Sequence, residues 1–422
     1  MKYIADLHIH SHYSMATSKD LVPEKLDFWA RKKGIALAGT GDLTHEGWRR
    51  ELYEKLEKKE NGFYQLKKEY RESGSGKWAD AYPQFVVTGE ISSIYKKNGK
   101  TRKVHNVVIF PDLESAEKLA KKLEKIGNIH ADGRPILKLD CRDLVEMVKD
   151  SCEKGMVIPA HIWTPHFSVF GQKSGFDSLE ECFEDMTPYI HALETGLSSD
   201  PDMNRTWSAL DNYQLLSSSD AHSPSKLGRE ATLYDSEFSY NGLRNAIETG
   251  EGLAGTIEFY PEEGKYFDDG HRKCHFCAAP DQAVSLNNIC PVCGKKMTMG
   301  VNHRIYELAD RKQETEHRKD YFESLVPLPE IISEVTGVST SSKKVNGIYE
   351  KMLEELGSEF DILRRISLAE IQKAAGEEIT EGIRNLREGN VTRIPGYDGE
   401  FGKIRVLGRK FKVPASKNNK IN

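Results

Sequence analysis

The sequence lacks long hydrophobic runs: its 422 residues contain no apolar stretch of 18 or more. No helix is therefore predicted to span a membrane. The N-terminus also lacks the pattern of a signal peptide, because its short apolar stretch meets the charge of Asp6 at once and is typical of a strand. With 38% hydrophobic and 30% charged residues, we expect a globular, cytoplasmic protein of more than one domain.

The chain also lacks an excess of positive charge. Its net charge of −5 does not by itself indicate binding to nucleic acid. The charge is unevenly distributed, however: residues 401–422 contain seven Lys or Arg and no acid, and residues 271–304 contain five basic residues and one acid. Basic patches can bind a phosphate backbone even on an acidic protein. For residues 401–422, a frayed and solvated terminus is an equal alternative.

Cysteine is sparse, and four of the seven cysteines form two close pairs. Their spacing, C-x2-C-x12-C-x2-C, lets each tight turn present two thiolates to one structural zinc ion. Disulfides are the alternative, which a reducing compartment disfavours. The predicted zinc ligands are Cys274, Cys277, Cys290 and Cys293. The remaining three, Cys141, Cys152 and Cys182, are expected to be buried thiols.

Short apolar runs alternate with helical patterns through the first 260 residues. Since buried parallel strands are near-continuous apolar runs and alternate with helices in βαβ units, we predict an α/β barrel. The Lys- and Glu-rich residues 46–82 are predicted to be a helical insertion. The candidate parallel strands lie at residues 3–5, 35–38, 85–87, 106–110, 156–158, 192–193 and 214–219.

Four regions are predicted along the chain. The barrel covers residues 1–260 and the zinc ribbon covers residues 261–304. Residues 305–393 are predicted to be a helical domain, in which Ser367 and Glu370 form the capping box of one helix. Residues 394–422 contain a Gly-rich loop and then a basic strand and tail.

Nearly every predicted barrel strand carries His, Asp or Glu at or just after its end. A single such His is more often structural, but this many buried polar groups without a shared purpose would be costly. Strand ends converge at one mouth of an α/β barrel, and imidazoles with carboxylates suit zinc, manganese or iron. The candidate residues are His8, His10, Asp42, His45, Glu90, His105, His161, Glu194, Asp220 and His222.

The motifs around these residues resemble those of the polymerase-and-histidinol-phosphatase (PHP) superfamily: Asp6-Leu7-His8-Ile9-His10-Ser11, Gly41-Asp42, Gly89-Glu90, His161 and Ser219-Asp220-Ala221-His222. The resemblance implies a distorted seven-stranded (β/α) barrel with up to three metal ions. By position, the first ion would be held by His8, His10, Glu90 and Asp220. The second would be held by Glu90, His105 and His161, with Glu90 bridging.

By the same carry-over, a third ion would be held by Asp42, His45 and His222. Here the sequence departs from the superfamily pattern. Many members have His directly after the Asp, whereas this chain has Gly41-Asp42-Leu43-Thr44-His45. The third shell is therefore the least defined. The candidate catalytic carboxylates are Glu90, Glu194, Asp200 and Asp220.

Features beyond the barrel narrow the resemblance. The linker at 261–266, the motif Asp269-Gly270-His271-Arg272-Lys273-Cys274, the four-cysteine ribbon and Ile394-Pro395-Gly396-Tyr397-Asp398-Gly399 are together similar to the endonuclease Q family. The resemblance covers almost the whole chain. It implies DNA repair by cleavage on the 5′ side of deaminated bases (uracil, hypoxanthine, xanthine) and of abasic sites, in double- or single-stranded DNA.

A two-metal mechanism is expected for such a site. The ions bind the phosphate and activate a water molecule, which attacks phosphorus and leaves a 3′-hydroxyl and a 5′-phosphate. We expect two or three catalytic zinc ions, with manganese or magnesium as alternatives for activity, and one structural zinc ion. No convincing clamp-binding motif occurs, so recruitment by a sliding clamp is left open.

Recognition of a lesion needs a base that leaves the stack and side chains that receive it. The alternative for Phe167 is packing in the core, and the alternative for Asp398-Gly399 is a simple hairpin turn. Single Lys or Arg side chains are often merely solvated. The candidate DNA contacts are Trp163, His166, Lys226, Arg229, Tyr397, Phe401 and Arg405.

Two other functions are weighed against a DNA endonuclease. A small-molecule phosphatase, such as one acting on histidinol phosphate, does not need a ribbon, a helical appendix or a basic tail. A non-catalytic DNA-binding module with a decayed barrel conflicts with the near-complete set of ligands.

Overall fold

The computed structural model describes residues 1–311 and 320–408. Most of the predicted basic tail, from residue 409 on, lies outside these residues. The strands are β1 (Lys2–Asp6), β2 (Leu37–Gly39), β3 (Leu56–Lys58), β4 (Tyr64–Leu66), β5 (Gln84–Lys97), β6 (Lys100–Phe110), β7 (Ile136–Leu137), β8 (Met156–Pro159), β9 (Ala192–Glu194), β10 (Gln214–Leu216), β11 (Ala231–Asp235), β12 (Leu253–Glu258), β13 (Asp269–His271), β14 (Phe276–Ala278), β15 (Phe322–Ser324), β16 (Thr392–Ile394) and β17 (Lys403–Arg405).

Helices separate most of these strands and make up most of the region after residue 325. They are α1 (Pro23–Lys33), α2 (Glu46–Lys55), α3 (Leu113–Leu123), α4 (Cys141–Ser151), α5 (Leu179–Phe183), α6 (Pro201–Asn204), α7 (Tyr240–Thr249), α8 (Pro280–Ser285), α9 (Val301–Leu308), α10 (Leu328–Thr336), α11 (Lys343–Leu356), α12 (Glu359–Arg364), α13 (Leu368–Ala375) and α14 (Glu377–Arg387). The protein is thus a mixed α/β structure. Within the described ranges, no helix is both long and apolar enough to cross a membrane.

A central mixed sheet organises the first 260 residues. Its strand order is β15-β12-β11-β1-β2-β5-β4-β3, and β6 joins β5 to β8. Strands β1, β2 and β5 run parallel to one another, whereas β11 is antiparallel to β1. Strands β9 and β10 form a separate parallel pair. Closure of these strands into a seven-stranded barrel stays a prediction.

All seven predicted barrel strands form, but the predicted parallel direction is wrong for the fourth. Strand β6 is antiparallel to both β5 and β8. The reason is a two-residue turn of Asn98 and Gly99, with φ of 54° and 71°. Asn-Gly favours this left-handed geometry, and the turn makes β5 and β6 a hairpin.

The predicted helical insertion at residues 46–82 is helical only at its start, in α2. Strands β3 and β4 then form a hairpin that extends the edge of the central sheet. Gly62, with φ of 87°, allows the turn between them. Phe63 and Leu66 bury their side chains, so the apolar residues of this segment pack as strand residues despite the charged composition.

The helical region is attached to the first 260 residues by a buried ion pair. Lys33, at the end of α1, donates to Glu359 of α12 at 2.6 Å, with side-chain exposures of 7% and 4%. The Tyr349 hydroxyl and the Leu328 amide also donate to Glu359. Each charge is therefore compensated, as burial requires. As predicted, Ser367 caps α13 by accepting from the Glu370 amide.

Removal of one partner tests this ion pair. We expect Glu359→Gln to lower the free energy of unfolding by about 3–5 kcal/mol, because Lys33 would remain buried and unpaired. The matched control is Glu355→Gln, since Glu355 and its partner Lys351 are both on the surface, with side-chain exposures of 48% and 58%. That change should lower it by about 0–1 kcal/mol. Equal effects in denaturant titrations would contradict the account.

Candidate metal centres

The segment after β1 supplies the first histidines of the site. His8 and His10 are two residues apart and are 1% and 0% exposed. In extended backbone, such residues share a face. Asp220 follows β10 and meets them there: its Oδ1 lies 2.9 Å from His10 Nε2 and 3.6 Å from His8 Nε2. These three form one group of potential metal ligands, with ligand atoms within 4.8 Å of one another.

A second group of potential ligands forms around Glu90, which belongs to β5. Glu90 contacts His105 Nδ1, and its Oε1 lies 3.2 Å from His161 Nε2. Glu90 also faces the first group, because its carboxylate oxygens lie 3.7 Å from His8 Nε2 and 3.6 Å from His10 Nε2. Glu90 therefore lies between the two groups, where the resemblance expects a bridging ligand.

The donor atoms fit metal ions. His8 Nε2 is buried without a hydrogen-bond partner, although buried polar atoms are nearly always paired. The other ring nitrogen, Nδ1, lies 2.9 Å from Glu194 Oε2. A carboxylate that holds one ring nitrogen so that the other can bind an ion is typical of metal-ligating histidines. Glu194 also accepts from the His161 amide at 2.9 Å, so it orients both groups.

Three residues of this site have left-handed backbone. Asp42, His161 and Asp220 have positive φ angles of 48°, 30° and 48°. Such conformations are uncommon for residues other than glycine and cluster at functional sites. Gly196 contributes to the close packing, because a Cβ there would lie 2.5 Å from the Cβ of His161. The ligand side chains are thus held by backbone that local preference alone would not adopt.

The charges of the site are strongly coupled. Burial lowers the pKa of His8, but the carboxylates of Glu194, Asp220 and Glu90 outweigh it, and the pKa rises well above its usual range. Burial raises the pKa of Glu90, but the neighbouring imidazoles hold it well below its usual range. The carboxylates therefore stay ionised. Because metal ions bind neutral imidazole, protons and metal ions compete here.

The structure does not gather the residues of the expected third shell. Asp42 accepts from the Ser11 amide at 2.9 Å and from the Ser11 and Ser14 hydroxyls. His45 caps helix α2, and His222 Nδ1 lies 2.8 Å from a neighbouring backbone carbonyl. Asp42 and His45 thus have hydrogen-bond partners of their own within the fold. A third metal ion held by Asp42, His45 and His222 stays a prediction.

The ribbon cysteines contribute to a third group of potential metal ligands. The group contains His271 with Cys274, Cys290 and Cys293 and does not include Cys277, so zinc binding by Cys277 stays a prediction. Cys277 pairs with Gly270 across the β13–β14 hairpin, and cross-strand neighbours share a face. The next residue, His271, lies on the opposite face.

Two sequence candidates have structural roles instead. Trp163 is 1% exposed, donates to Asn204 Oδ1 at 2.7 Å and packs near Trp207. It offers no face to a base, so its prediction as a DNA contact is wrong. Asp200 caps α6 by accepting from the Met203 amide at 2.8 Å, and its assignment as a catalytic carboxylate stays a prediction.

The other candidate DNA contacts are accessible to different degrees. His166 is exposed and Phe167 is half-buried, with the Phe167 ring 4.7 Å from the ring of His105. Lys226 and Arg229 line a cavity of about 540 Å³ between α1 and the helical region. Their roles as phosphate contacts stay predictions, as does that of Arg405, which is half-buried on β17.

The Gly-rich loop is a tight hairpin. Tyr397 and Glu400 exchange backbone hydrogen bonds of 3.0 and 2.8 Å around Asp398 and Gly399, with φ of 44° and 85°. This is the simple hairpin turn expected as the alternative for Asp398-Gly399. Tyr397 lies against the ribbon, since a Cβ on Gly270 would come 2.3 Å from its ring.

One charged side chain beside Glu90 is not marked by any sequence motif. Arg134 follows no predicted strand and belongs to no motif, yet its Nη1 lies 3.2 Å from Glu90 Oε2. The only sequence feature that could have indicated Arg134 is Gly133, the glycine that precedes it in a loop. This is too common a pattern to single out.

The family model described as the MJ0043 C-terminal domain matches residues 327–390. Uncharacterized protein MJ0043 from Methanocaldococcus jannaschii is 31% identical over 256 residues, 59% of this chain and 32% of that protein. The chain thus spans about a third of that relative. Uncharacterized protein YqxK from Bacillus subtilis is 30% identical over 311 residues, 72% of this chain and 74% of that protein.

Two solved structures are similar over nearly the whole chain. The novel lesion-specific endonuclease PfuEndoQ from Pyrococcus furiosus is 31% identical, with a TM-score of 0.83 and coverage of 97% of this chain and 98% of that one. Endonuclease Q in complex with a 27-mer duplex substrate, with an abasic lesion at the active site, is also 31% identical. Its TM-score is 0.81, with coverage of 98% and 99%.

The fold and the two groups of histidines and carboxylates define a metal-dependent phosphoesterase. Sequence identity and shared structure over almost the entire length identify the family. This chain belongs to the endonuclease Q family.

Paired substitutions test the ligands of the ribbon. We expect His271→Ala to lose one bound metal ion per chain and to lower the melting temperature, because structural zinc contributes directly to folding. Cys277→Ser should keep the ion. The measurement is elemental analysis of both purified variants, with thermal unfolding alongside. Loss of the ion in Cys277→Ser but not in His271→Ala would instead show that four cysteines hold it.

Proposed function

We propose that this protein is a metal-dependent endonuclease that hydrolyses DNA beside lesions. The observation that carries the proposal is Glu90, whose buried carboxylate lies between two groups of histidines. One carboxylate between two such groups suits a two-metal phosphoesterase. Further support comes from endonuclease Q, whose solved complex holds a duplex with an abasic lesion at the active site.

The proposed catalytic cofactors are two divalent ions, zinc in the isolated protein and manganese or magnesium as alternatives for activity. When bound about 3.5–4 Å apart, such ions stabilise negative charge on a phosphate and lower the pKa of water. His8, His10 and Asp220 would hold one ion, and His105 and His161 the other. The ribbon group would hold a structural zinc ion, since three cysteines and one histidine make a tetrahedral shell.

The protein's own residues set the geometry of the reaction. Glu90 fixes the spacing of the two groups. Glu194 orients His8 through Nδ1 and positions the backbone of His161. The nucleophile of the proposed reaction is water, so no covalent protein intermediate forms. Attack in line with the departing 3′ oxygen on the 5′ side of the lesion leaves a 3′-hydroxyl and a 5′-phosphate.

The finer architecture belongs to the same proposal. We propose that the strands close into a distorted seven-stranded barrel over residues 1–260. Backbone hydrogen bonds support closure, from the Ile162 amide beyond β8 to Glu194 of β9, and from the His10 amide to Ala221 beyond β10. The ribbon at 261–304, the helical domain at 305–393 and the C-terminal element at 394–422 complete the proposed division.

The proposed substrates are DNA with uracil, hypoxanthine, xanthine or an abasic site. The Gly-rich hairpin is the proposed lesion-reading element. Its glycine amides are fixed to the linker: Gly396 donates to Glu262, Gly402 to Glu263 and Gly399 to Lys265. The same linker packs on the turn at Gly196–Ser198, which contacts His161. The linker and this turn thus connect the hairpin to the metal centre. A sliding clamp is not part of this proposal, since nothing in the structure or the comparisons supports one.

Cleavage assays test the proposed reaction. Labelled duplexes that carry uracil, hypoxanthine, xanthine, an abasic site or no lesion are incubated with the enzyme and Mn²⁺, beside a phosphomonoester. We expect nicking of the lesion duplexes only. Glu90→Gln should slow it by roughly 100-fold or more, because even outer partners of a metal site contribute 10- to 100-fold.

The control for that substitution is Glu57→Gln, since Glu57 is 51% exposed and pairs with Lys59 on the surface. It should cleave at the wild-type rate. Hydrolysis of the phosphomonoester without nicking of any DNA would instead favour the small-molecule phosphatase. Wild-type turnover in Glu90→Gln would refute the site.

Phe401 is the proposed partner of the extruded base, because it is 68% exposed on the hairpin. We expect Phe401→Ala to weaken binding of uracil DNA by about 1–3 kcal/mol, the contribution of one base–aromatic stack. Binding of abasic DNA, which offers no base, should change less. Tyr82→Ala, at a side chain 65% exposed elsewhere, is the control in fluorescence anisotropy. Equal loss on both substrates would mean that Phe401 does not stack on the base.

A further inference from the structure

A short loop that no motif marked lies over the metal centre. Residues 130–135 connect α3 to β7, and several contacts fix them. The Gly133 amide donates to the Tyr13 carbonyl at 3.0 Å, and the Ser92 amide donates to the Pro135 carbonyl at 3.0 Å. Asp132 Oδ1 accepts from the Met15 amide at 3.1 Å. The 130–135 loop is therefore held against both the segment after β1 and strand β5.

Gly133 allows the loop to approach the site this closely. A Cβ at this position would come 2.1 Å from Asp42 Oδ2 and 2.7 Å from Ser14 Oγ. No side chain fits there, and Asp42 cannot move aside because Ser11 and Ser14 hold its carboxylate. The glycine thus delivers the following residue, Arg134, into the mouth of the site.

Arg134 is the cation of this mouth. Its Nη1 lies 3.2 Å from Glu90 Oε2, and its side chain is 23% exposed while that of Glu90 is 0% exposed. The guanidinium therefore spans from the buried carboxylate to solvent. Among the ion pairs of the described ranges, Arg134 is the Lys or Arg residue that pairs with a carboxylate of the two metal-binding groups; Asp220 pairs with histidines.

The chemistry of the guanidinium indicates a second partner. Arginine has five donors in a planar fork, and its contact with Glu90 uses one nitrogen. A carboxylate shared by two divalent ions would have little charge left for arginine. An anion at the mouth would then be the better partner, and a phosphate matches the fork with two parallel hydrogen bonds.

We propose that Arg134 binds a non-bridging oxygen of the phosphate that is cleaved. This inference rests on the proposed function of the same site and adds a substrate-binding side chain to it. The guanidinium meets the phosphate from the 130–135 loop and stabilises the negative charge that builds on its oxygens during attack by water. A purely structural Arg134 would instead serve as the counter-charge of Glu90, and its loss would disturb the metal-binding groups.

The experiment compares Arg134→Ala and Arg134→Lys with the wild type in three measurements: bound metal by elemental analysis, cleavage of an abasic duplex with Mn²⁺, and the inhibition constant of inorganic phosphate. We expect unchanged metal content in both variants. For Arg134→Ala we expect cleavage slowed by roughly 100- to 1,000-fold and the phosphate inhibition constant raised roughly tenfold. Arg134→Lys should recover part of both losses, because it restores the charge without the fork.

Arg142→Ala is the control, since Arg142 pairs with Asp185 on the surface, and it should match the wild type. Loss of metal in Arg134→Ala, or an unchanged inhibition constant, would overturn the proposal. Failure of the proposed function is a different result: wild-type enzyme would nick no lesion duplex. In that case phosphate inhibition of phosphomonoester hydrolysis measures the Arg134 contact, and an unchanged constant in Arg134→Ala again overturns it.

Discussion

The buried carboxylate of Glu90 is the charge around which the site is built. An ionised carboxylate is costly to bury unless cations or hydrogen-bond donors surround it. Four histidines and Arg134 provide these partners, and they come from strand β6, from segments that follow other strands and from one loop. The left-handed backbone at His161 and Asp220, and the glycines that allow close contact, follow from the need to bring these groups to one point.

The same requirement explains why the sequence predicted so much of the site. Ligands that converge at one mouth of an α/β fold come mainly from strand ends, and strand ends can be located from apolar runs. The period of two in extended backbone placed His8 and His10 on one face without any knowledge of tertiary structure. His161 and Asp220 follow predicted strands, whereas Glu90 and His105 lie next to short apolar runs that the structure extends into the longer strands β5 and β6. The structure places these residues in the two groups of potential ligands.

What the sequence could not supply depends on register and on long-range packing. Apolar runs do not reveal strand direction, and the direction of β6 depends on the turn at Asn98-Gly99, which makes β5 and β6 antiparallel. Spacing showed that the ribbon cysteines form two turns. Which side chains face inward depends on the pairing of β13 with β14, and with this pairing His271 rather than Cys277 joins the group of potential ligands. Trp163 follows a ligand in sequence but points into the core, and only tertiary packing decides that.

A lesion-bound crystal in the presence of Mn²⁺ gives the most direct test of the central role of Glu90. Diffraction data collected at the manganese absorption edge locate the ions independently of the protein atoms. The account predicts two ions about 3.5–4 Å apart, one on each side of the Glu90 carboxylate, with one DNA phosphate in contact with both. A single ion, or ions that Glu90 does not touch, would contradict it.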